Sequence, residues 1–185
     1  MRPMKAALPT IRLGISACLM GRPTRYDGGH RLDVLLRDAF GGRFEFFPLC
    51  PEAEAGFGVP REPMRLEGDP QRPRLMTRRT RRDLTEAMES WARSRVVELE
   101  KEKLAGFIFK ARSPCCGVHG CGAVGTQNFP SESIVSPSCA AGLFARAFME
   151  HFPRVPVEED ERLHDDAIRE AFIKKACAAY KRRHG

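Results

Sequence analysis

The chain has 185 residues, which is enough for one domain with a substantial core and short for two domains. Hydrophobic residues make up 42% and charged residues 30%, as in soluble globular proteins, and no apolar run reaches the roughly 18 residues that span a bilayer. The net charge of +7 favours an anionic partner such as a nucleotide or nucleic acid, although a charged surface with a basic tail is the simpler explanation.

The N-terminal segment MRPMKAALPT, residues 1–10, carries positive charge but no apolar stretch and no clear cleavage site. It is therefore predicted to be a mobile leader, followed by a single domain at residues 11–185. The protein is predicted to be cytoplasmic and to contact no membrane. In a reducing cytoplasm the seven cysteines favour free thiols or metal ligands over disulfides, and their odd number excludes complete internal pairing.

The hydrophobic pattern predicts strands and helices in alternation. Strands are predicted at Ile11–Cys18, Gly42–Cys50, Ala105–Cys116 and Arg154–Asp160, and helices at His30–Phe40, Thr80–Leu104, Ser136–Phe152 and Asp165–Arg183. Ser136 is the predicted N-cap of the third helix, with Pro137 in its first turn. The segment Pro51–Leu75, rich in proline and glycine, is predicted to be a long loop, either functional or disordered. The alternation is typical of an α/β fold, in which a mostly parallel sheet is covered by helices on both faces and ligands bind beyond the carboxyl ends of the strands.

Three of the predicted strands end in cysteine. Cys18 and Cys50 each close one strand, and the adjacent residues Cys115 and Cys116 close a third. Because the carboxyl ends of neighbouring parallel strands lie side by side, these thiols are expected to meet at one edge of the sheet, with one of the adjacent pair pointing into the site. Three thiolates suit a [4Fe–4S] cluster that leaves one iron open to substrate, and suit less well a zinc ion that also binds water. The alternative is that they are ordinary buried cysteines.

Polar residues beside these cysteines are candidate catalytic groups. Glu52, two residues after Cys50, can act as a general base if it is partly buried, or it can be an ordinary surface glutamate. Ser113, three residues before Cys116, can donate to a substrate or orient a water, or it can cap a helix.

The segment RYDGGH that follows the first cysteine is a candidate substrate-binding loop. Its binding residues are predicted to be Arg25, Tyr26, Asp27, Gly28 and Gly29. The two glycines permit close approach of the backbone to a ligand. The alternative is a plain connection between strand and helix, with Asp27 as the helix cap.

Three segments together resemble the family typified by thiouracil desulfidase, long catalogued as a domain of unknown function. They are GISACLMGRPTRYDGGH, PLCPEAEAGFGVPREPMRL and FKARSPCCG, and VPVEEDERLHDDAIREAFI is similar to the segment that closes this domain. The resemblance extends from about Leu13 to Phe172. It implies a single Rossmann-like domain, a [4Fe–4S] cluster, and non-redox removal of sulfur from a thiolated pyrimidine, either base or nucleotide, with release of sulfide.

The resemblance also implies a role for each residue that matches a motif. The implied cluster ligands are Cys18, Cys50 and Cys116. The implied catalytic groups are Glu52 and Ser113. Three further cysteines match no ligand position: Cys121, Cys139 and Cys177.

The third ligand position departs from the family pattern. The family has serine or threonine where this chain has Cys115, so either of the adjacent cysteines could be the ligand. Cys116 is favoured because Gly117 follows it, as the motif requires.

Two other functions stay open. One is a desulfidase that acts on thiolated tRNA, for which TRRTRR at Thr77–Arg82 and YKRRHG at Tyr180–Gly185 provide cationic runs. The other is a non-catalytic, zinc-stabilised module that binds RNA, with an affinity that falls steeply with salt. A thiol redox enzyme is disfavoured because the chain has no Cys-x-x-Cys motif.

Overall fold

The computed structural model describes residues 11–119 and 141–184, so the predicted leader lies outside the described residues. The strands and helices are, in chain order, β1 (Ile11–Ser16), α1 (Val34–Phe40), β2 (Phe44–Leu49), α2 (Pro51–Glu54), β3 (Met64–Glu67), β4 (Arg74–Thr77), α3 (Thr85–Leu99), β5 (Gly106–Phe109), α4 (Leu143–His151), β6 (Val157–Glu159) and α5 (Asp166–His184). Short 3-10 helices lie at Ala17–Met20, Glu100–Glu102 and Arg162–His164.

Four of the strands form one sheet in the order β2-β1-β5-β6, and each neighbouring pair is parallel. The carboxyl ends of these strands therefore all lie at one edge of the sheet. The predicted α/β fold with a mostly parallel sheet is confirmed. Among the helices in the described ranges, none combines the length and apolar character needed to cross a membrane.

Helices cover both faces of this sheet because alternate strand residues point to opposite sides. In β5, Phe107 and Phe109 pack with α3 and α4, whereas Ile108 packs with α1 and α5. Gly14 in β1 leaves room for the ring of Phe107, since a β carbon at Gly14 would lie 2.2 Å from that side chain.

The first helix is shorter than predicted. It begins after Asp33, whose carboxylate accepts a hydrogen bond from the backbone N–H of Leu36 at 3.0 Å and so caps the helix. The predicted start at His30 is wrong because this cap lies three residues further on. Leu36 and Phe40 are buried, whereas Leu35 is 41% exposed.

The prediction of a loop at Pro51–Leu75 is wrong. The segment contains α2 and the antiparallel hairpin of β3 and β4. Its buried side chains, Met64, Leu66 and Leu75, belong to the same core cluster as α3. Each strand covers only four residues, and β4 does not alternate, so neither strand stands out in the sequence.

The starts of the second and third predicted helices also differ from the prediction. Residues 80–84 complete the hairpin, where Met76 and Asp83 form an isolated bridge, so α3 begins at Thr85. Ser136 and Pro137 lie outside the described residues. An unbroken helix from Ser136 is wrong, because α4 begins at Leu143 with Gly142 as its N-cap residue.

Candidate active site

The three predicted ligand cysteines lie on turns at the carboxyl ends of three strands. Cys18 lies in the 3-10 helix after β1, and Cys50 is the N-cap residue of α2 after β2. The prediction that Cys115 and Cys116 close a strand is wrong, because β5 ends at Phe109 and Cys116 lies in a turn beyond it. The five cysteines in the described ranges are free thiols.

The thiols of Cys18, Cys50 and Cys116 are electrostatic neighbours. Burial raises the pKa of Cys116 well above its usual range, and the nearby Cys50 and Glu52 raise it further, while a hydrogen bond from Ser16 opposes the shift. Burial also raises the pKa of Cys18 to about 11, with Cys50 as the next cause. The structure therefore brings the three predicted ligands together at one edge of the sheet.

The chemistry of this donor set fits an iron–sulfur cluster. Burial disfavours the thiolate forms of Cys18 and Cys116 in the protein alone, and a bound metal group supplies positive charge that stabilises thiolates. Within residues 11–119 and 141–184, no three His, Cys, Asp or Glu side chains are placed to hold one metal ion. A cluster distributes its cysteine ligands over several iron atoms, so its thiolates need not meet at a single point.

The remaining cysteines lie in the core, on α5 or outside the described residues. Cys115 is fully buried in the core cluster that contains α3 and α4, and the neighbouring Cys116, which is 5% exposed, belongs to the same cluster. Cys177 lies on α5 and lines a groove with Arg43 and Lys181. Cys121 and Cys139 lie outside the described residues.

Glu52 and Ser113 meet although 61 residues separate them. Glu52 lies in the first turn of α2, and its side chain is 12% exposed. The hydroxyl of Ser113 donates to Oε1 of Glu52 at 3.4 Å. A carboxylate and a hydroxyl thus lie together beside the thiol of Cys116, where a general base and a polar orienting group would be useful.

Ser113 also caps the turn at residues 114–116, but it does not cap a helix, because no helix begins there. Its hydroxyl oxygen accepts from the backbone N–H groups of Cys115 and Cys116, at 3.2 Å each. The carbonyl of Ser113 also accepts from the N–H of Gly117 at 2.8 Å. The turn that carries Cys116 is therefore organised around Ser113.

Arg61 belongs to this site and was not predicted from the sequence. Its side chain is 6% exposed and pairs with the carboxylate of Glu52. The guanidinium also donates to the carbonyls of Gly58 and Thr24, at 2.9 and 3.1 Å. Its only sequence signal is its place in the segment PLCPEAEAGFGVPREPMRL, because nothing distinguishes it from the other 30 lysines and arginines.

The predicted substrate-binding loop is a compact turn beside the site. Arg25 forms an ion pair with Asp27 at 3.3 Å, and Asp27 accepts from the N–H of Gly29 at 3.0 Å. Gly28 has a φ of 78°, which glycine adopts without strain. Tyr26 is 42% exposed, and its backbone carbonyl accepts from the N–H of Arg61 at 2.8 Å.

This turn lies close to the thiols but does not cap the helix. The positive charge of Arg25 lowers the pKa of Cys18 against the larger effect of burial. The carboxylate of Asp27 bonds within its own turn, and Asp33 caps α1 instead. The alternative in which Asp27 caps the helix is therefore wrong.

Acidic residues at the end of β6 hold the loop that follows β5. Asp160 is buried and accepts from Nζ of Lys110 at 2.8 Å and from the N–H of Ala111 at 2.7 Å. The backbone N–H of Lys110 donates in turn to the hydroxyl of Ser16 at 2.9 Å. This network links the ends of β1, β5 and β6, and it was not predicted from the sequence.

Comparison with known proteins identifies the family. The model of a family described as 2-thiouracil desulfurase matches residues 13–160. The uncharacterized protein YbbK of Bacillus subtilis (strain 168) is 26% identical over 138 residues, which span 72% of this chain and 89% of YbbK. The solved structure of TudS, a [4Fe–4S]-dependent thiouracil desulfidase, matches with a TM-score of 0.64 over 88% of this chain and 99% of its own, at 24% identity, and shows a shared fold. Because the family match covers most of the residues, the chain belongs to the 2-thiouracil desulfurase family.

Proposed function

We propose that the protein removes sulfur from a thiolated pyrimidine, such as thiouracil or its nucleotide, in a hydrolytic reaction that depends on a [4Fe–4S] cluster and releases sulfide. Membership of the 2-thiouracil desulfurase family supports the reaction class. The shared fold with TudS, whose description names such a cluster, supports the cofactor. The observation that carries the proposal is the meeting of three thiols with the Glu52–Ser113 pair at one edge of the sheet.

Cys18, Cys50 and Cys116 are the proposed cluster ligands. Three cysteines leave one iron of a four-iron cluster without a protein thiolate. When bound, the cluster supplies a Lewis-acidic iron for the sulfur of the substrate. Cys116, which Gly117 follows as in the family motif, is the proposed third ligand. The hydroxyl of Ser16 contacts its thiol, and Cys50 and Cys18 lie near enough to act on it electrostatically.

Glu52 is the proposed general base. Its Oε1 takes a proton from a water molecule, and the hydroxyl of Ser113 beside it orients the water or the pyrimidine ring. The water oxygen attacks the thiolated carbon and gives a tetrahedral intermediate on the pyrimidine. The C–S bond then breaks, oxygen takes the place of sulfur, and sulfur leaves as sulfide, so that no electrons are exchanged overall.

The turn at Arg25–Gly29 is the proposed binding surface for the pyrimidine. Arg25 lies close enough to Cys18 to lower the pKa of that thiol. Tyr26 is exposed beside it, with the guanidinium of Arg25 5.3 Å from the centre of its ring. A flat ring that enters from this side can contact the phenol and the backbone of Gly28 and Gly29.

The test is metal analysis of protein purified without oxygen, followed by turnover of thiouracil. Iron and labile sulfide are expected close to the four of each in a [4Fe–4S] cluster, and both are expected to be lost after Cys18→Ala, Cys50→Ala or Cys116→Ala. Cys177→Ala is the matched control and should keep the cluster. Zinc alone, or iron that does not respond to these substitutions, would contradict the proposal and favour the zinc-stabilised RNA-binding module.

A second candidate substrate is thiolated tRNA, and one observation favours it. Arg78 and Arg79, at the end of the β3–β4 hairpin, form no side-chain ion pair within the described ranges, and they line a groove of about 610 Å³ together with Arg61. Guanidinium groups that form no ion pair in the described part of the chain suit the phosphodiester backbone of a nucleic acid. If tRNA is the substrate, replacement of both arginines by alanine should weaken turnover of thiolated tRNA and leave turnover of free thiouracil unchanged.

A further inference from the structure

We propose that Arg61 is a positioning residue for the reaction. It fixes the carboxylate of Glu52 so that Oε1, on the side of Ser113, is the oxygen that receives the proton. This inference rests on the proposed function, because it assigns a task to Arg61 within that mechanism.

The two oxygens of the Glu52 carboxylate have different partners. Nε of Arg61 donates to Oε2 at 2.8 Å, and Nη2 of Arg61 donates to the same oxygen. Oε1 faces the hydroxyl of Ser113 at 3.4 Å. With two N–H groups on Oε2, the lone pair that stays available for a proton is on Oε1, beside the one that accepts from Ser113.

Arg61 is itself held in place from three sides. Its Nη1 donates to the carbonyls of Gly58 and Thr24, and its backbone N–H donates to the carbonyl of Tyr26. The planar guanidinium is therefore fixed before substrate arrives. A base held in one orientation does not have to be ordered during the reaction, which is the advantage of a pre-organised site.

A purely structural role for Arg61 makes a different prediction. The carbonyl of Thr24, which accepts from Arg61, also accepts from the thiol of Cys50 at 3.6 Å. If Arg61 only held this loop, its loss would loosen Cys50 and reduce the iron content. If Arg61 acts through Glu52, its loss reduces turnover of protein that keeps its cluster.

The experiment compares Arg61→Met and Arg61→Lys in the wild-type protein and in Glu52→Gln. Iron and sulfide content, kcat and KM for thiouracil are measured without oxygen. In the wild-type background Arg61→Met is expected to lower kcat about 100-fold, with KM and iron content nearly unchanged. In the Glu52→Gln background it should lower kcat no further. Arg61→Lys should recover part of kcat, because an ammonium donates to the carboxylate without the planar fork.

The matched control is Arg95→Met. Arg95 pairs with Glu54, two residues beyond Glu52 on α2, with Nε 3.0 Å from Oε2. This substitution removes an arginine–glutamate pair from the same short helix and should leave kcat unchanged.

Urea unfolding of the cluster-free protein provides a readout that does not depend on turnover. The effects of Arg61→Met and Glu52→Gln on unfolding should be non-additive, because the two side chains are in contact. Additive effects would overturn the inference, as would an equal loss of kcat in both backgrounds or a loss of iron with unchanged kcat per cluster. If the wild-type protein holds its cluster but does not turn over thiolated pyrimidines, the proposed function is overturned. Non-additive unfolding would in that case still show that Arg61 and Glu52 interact.

Discussion

A β carbon on Gly142 would lie 2.4 Å from the carbonyl carbon of Cys115, a distance that side-chain carbons do not adopt. The N–H of Gly142 donates to the carbonyl of Gly117 at 2.7 Å, and that of Leu143 donates to the carbonyl of Pro114 at 3.2 Å. The first N–H groups of a helix have no partner within the helix, and here the turn that contains Cys116 accepts from them. The start of α4 thus packs directly against the third proposed ligand.

Gly142→Ala is expected to displace this turn and reduce the iron content of protein purified without oxygen. The added methyl group also overpacks the helix start, which costs about 1–3 kcal/mol of unfolding free energy. Gly14→Ala is the matched control, because its β carbon would lie 2.2 Å from the Phe107 ring, in the core. The control should lose stability and keep iron, and equal loss of iron from both variants would contradict the prediction.

The adjacent cysteines should respond differently to substitution. Cys116→Ala is expected to abolish cluster binding, whereas Cys115→Ala should keep the cluster and cost about 1–2 kcal/mol of stability through a lost core contact. Iron analysis and urea unfolding of both variants separate the two effects. If the cluster survives Cys116→Ala and is lost in Cys115→Ala, Cys115 is the ligand and Cys116 is not.

Two glutamates on α2 allow a matched test of the general base. Glu52→Gln keeps the size of the side chain and removes its basicity, so turnover of thiouracil should fall by about 10²–10⁴-fold with the cluster intact. Glu54→Gln is the control, because Glu54 pairs with Arg95, whereas Glu52 accepts from Ser113. Full turnover by Glu52→Gln with a complete cluster would show that the base is another group.

The meeting of the thiols could be predicted from the sequence because it follows from strand order. Buried parallel strands appear as continuous apolar runs, and Cys18 and Cys50 come directly after two of them. The sequence predicted the position of Cys116 less well, because β5 ends at Phe109 and a turn connects that strand end to Cys116. That turn depends on Ser113 and Gly142, which are far apart in the sequence.

The partners of the Glu52–Ser113 pair could not be predicted. Arg61 is one of many cations in a basic chain, and its burial results from a loop that folds back on the turn before it. The same holds for Asp160. In the structure it is buried against Lys110, a contact across 50 residues that no local pattern encodes.

Asp83 should give the protein an acid-dependent part of its stability. Its carboxylate accepts from the hydroxyl and the N–H of Thr85 and from Arg74, and these bonds, with the Thr85 hydroxyl first, lower the pKa of Asp83 to about 2 from its usual 3.8. Because the folded-state pKa is the lower one, the contribution is fully present above about pH 4 and is lost as the pH falls towards 2. The side chain is 36% exposed, so solvent screening limits the contribution to about 1 kcal/mol.

Urea unfolding of the cluster-free protein across this pH range measures the effect. Wild type should lose its advantage over Asp83→Asn as the pH falls from about 4 to 2, because the amide does not titrate. Thr85→Val removes the largest cause of the shift and keeps Arg74, so its stability should depend less steeply on pH than that of wild type. Parallel curves for wild type and Asp83→Asn would mean that the carboxylate titrates alike in the folded and unfolded chains, and that these hydrogen bonds join the hairpin to α3 without favouring the charged form.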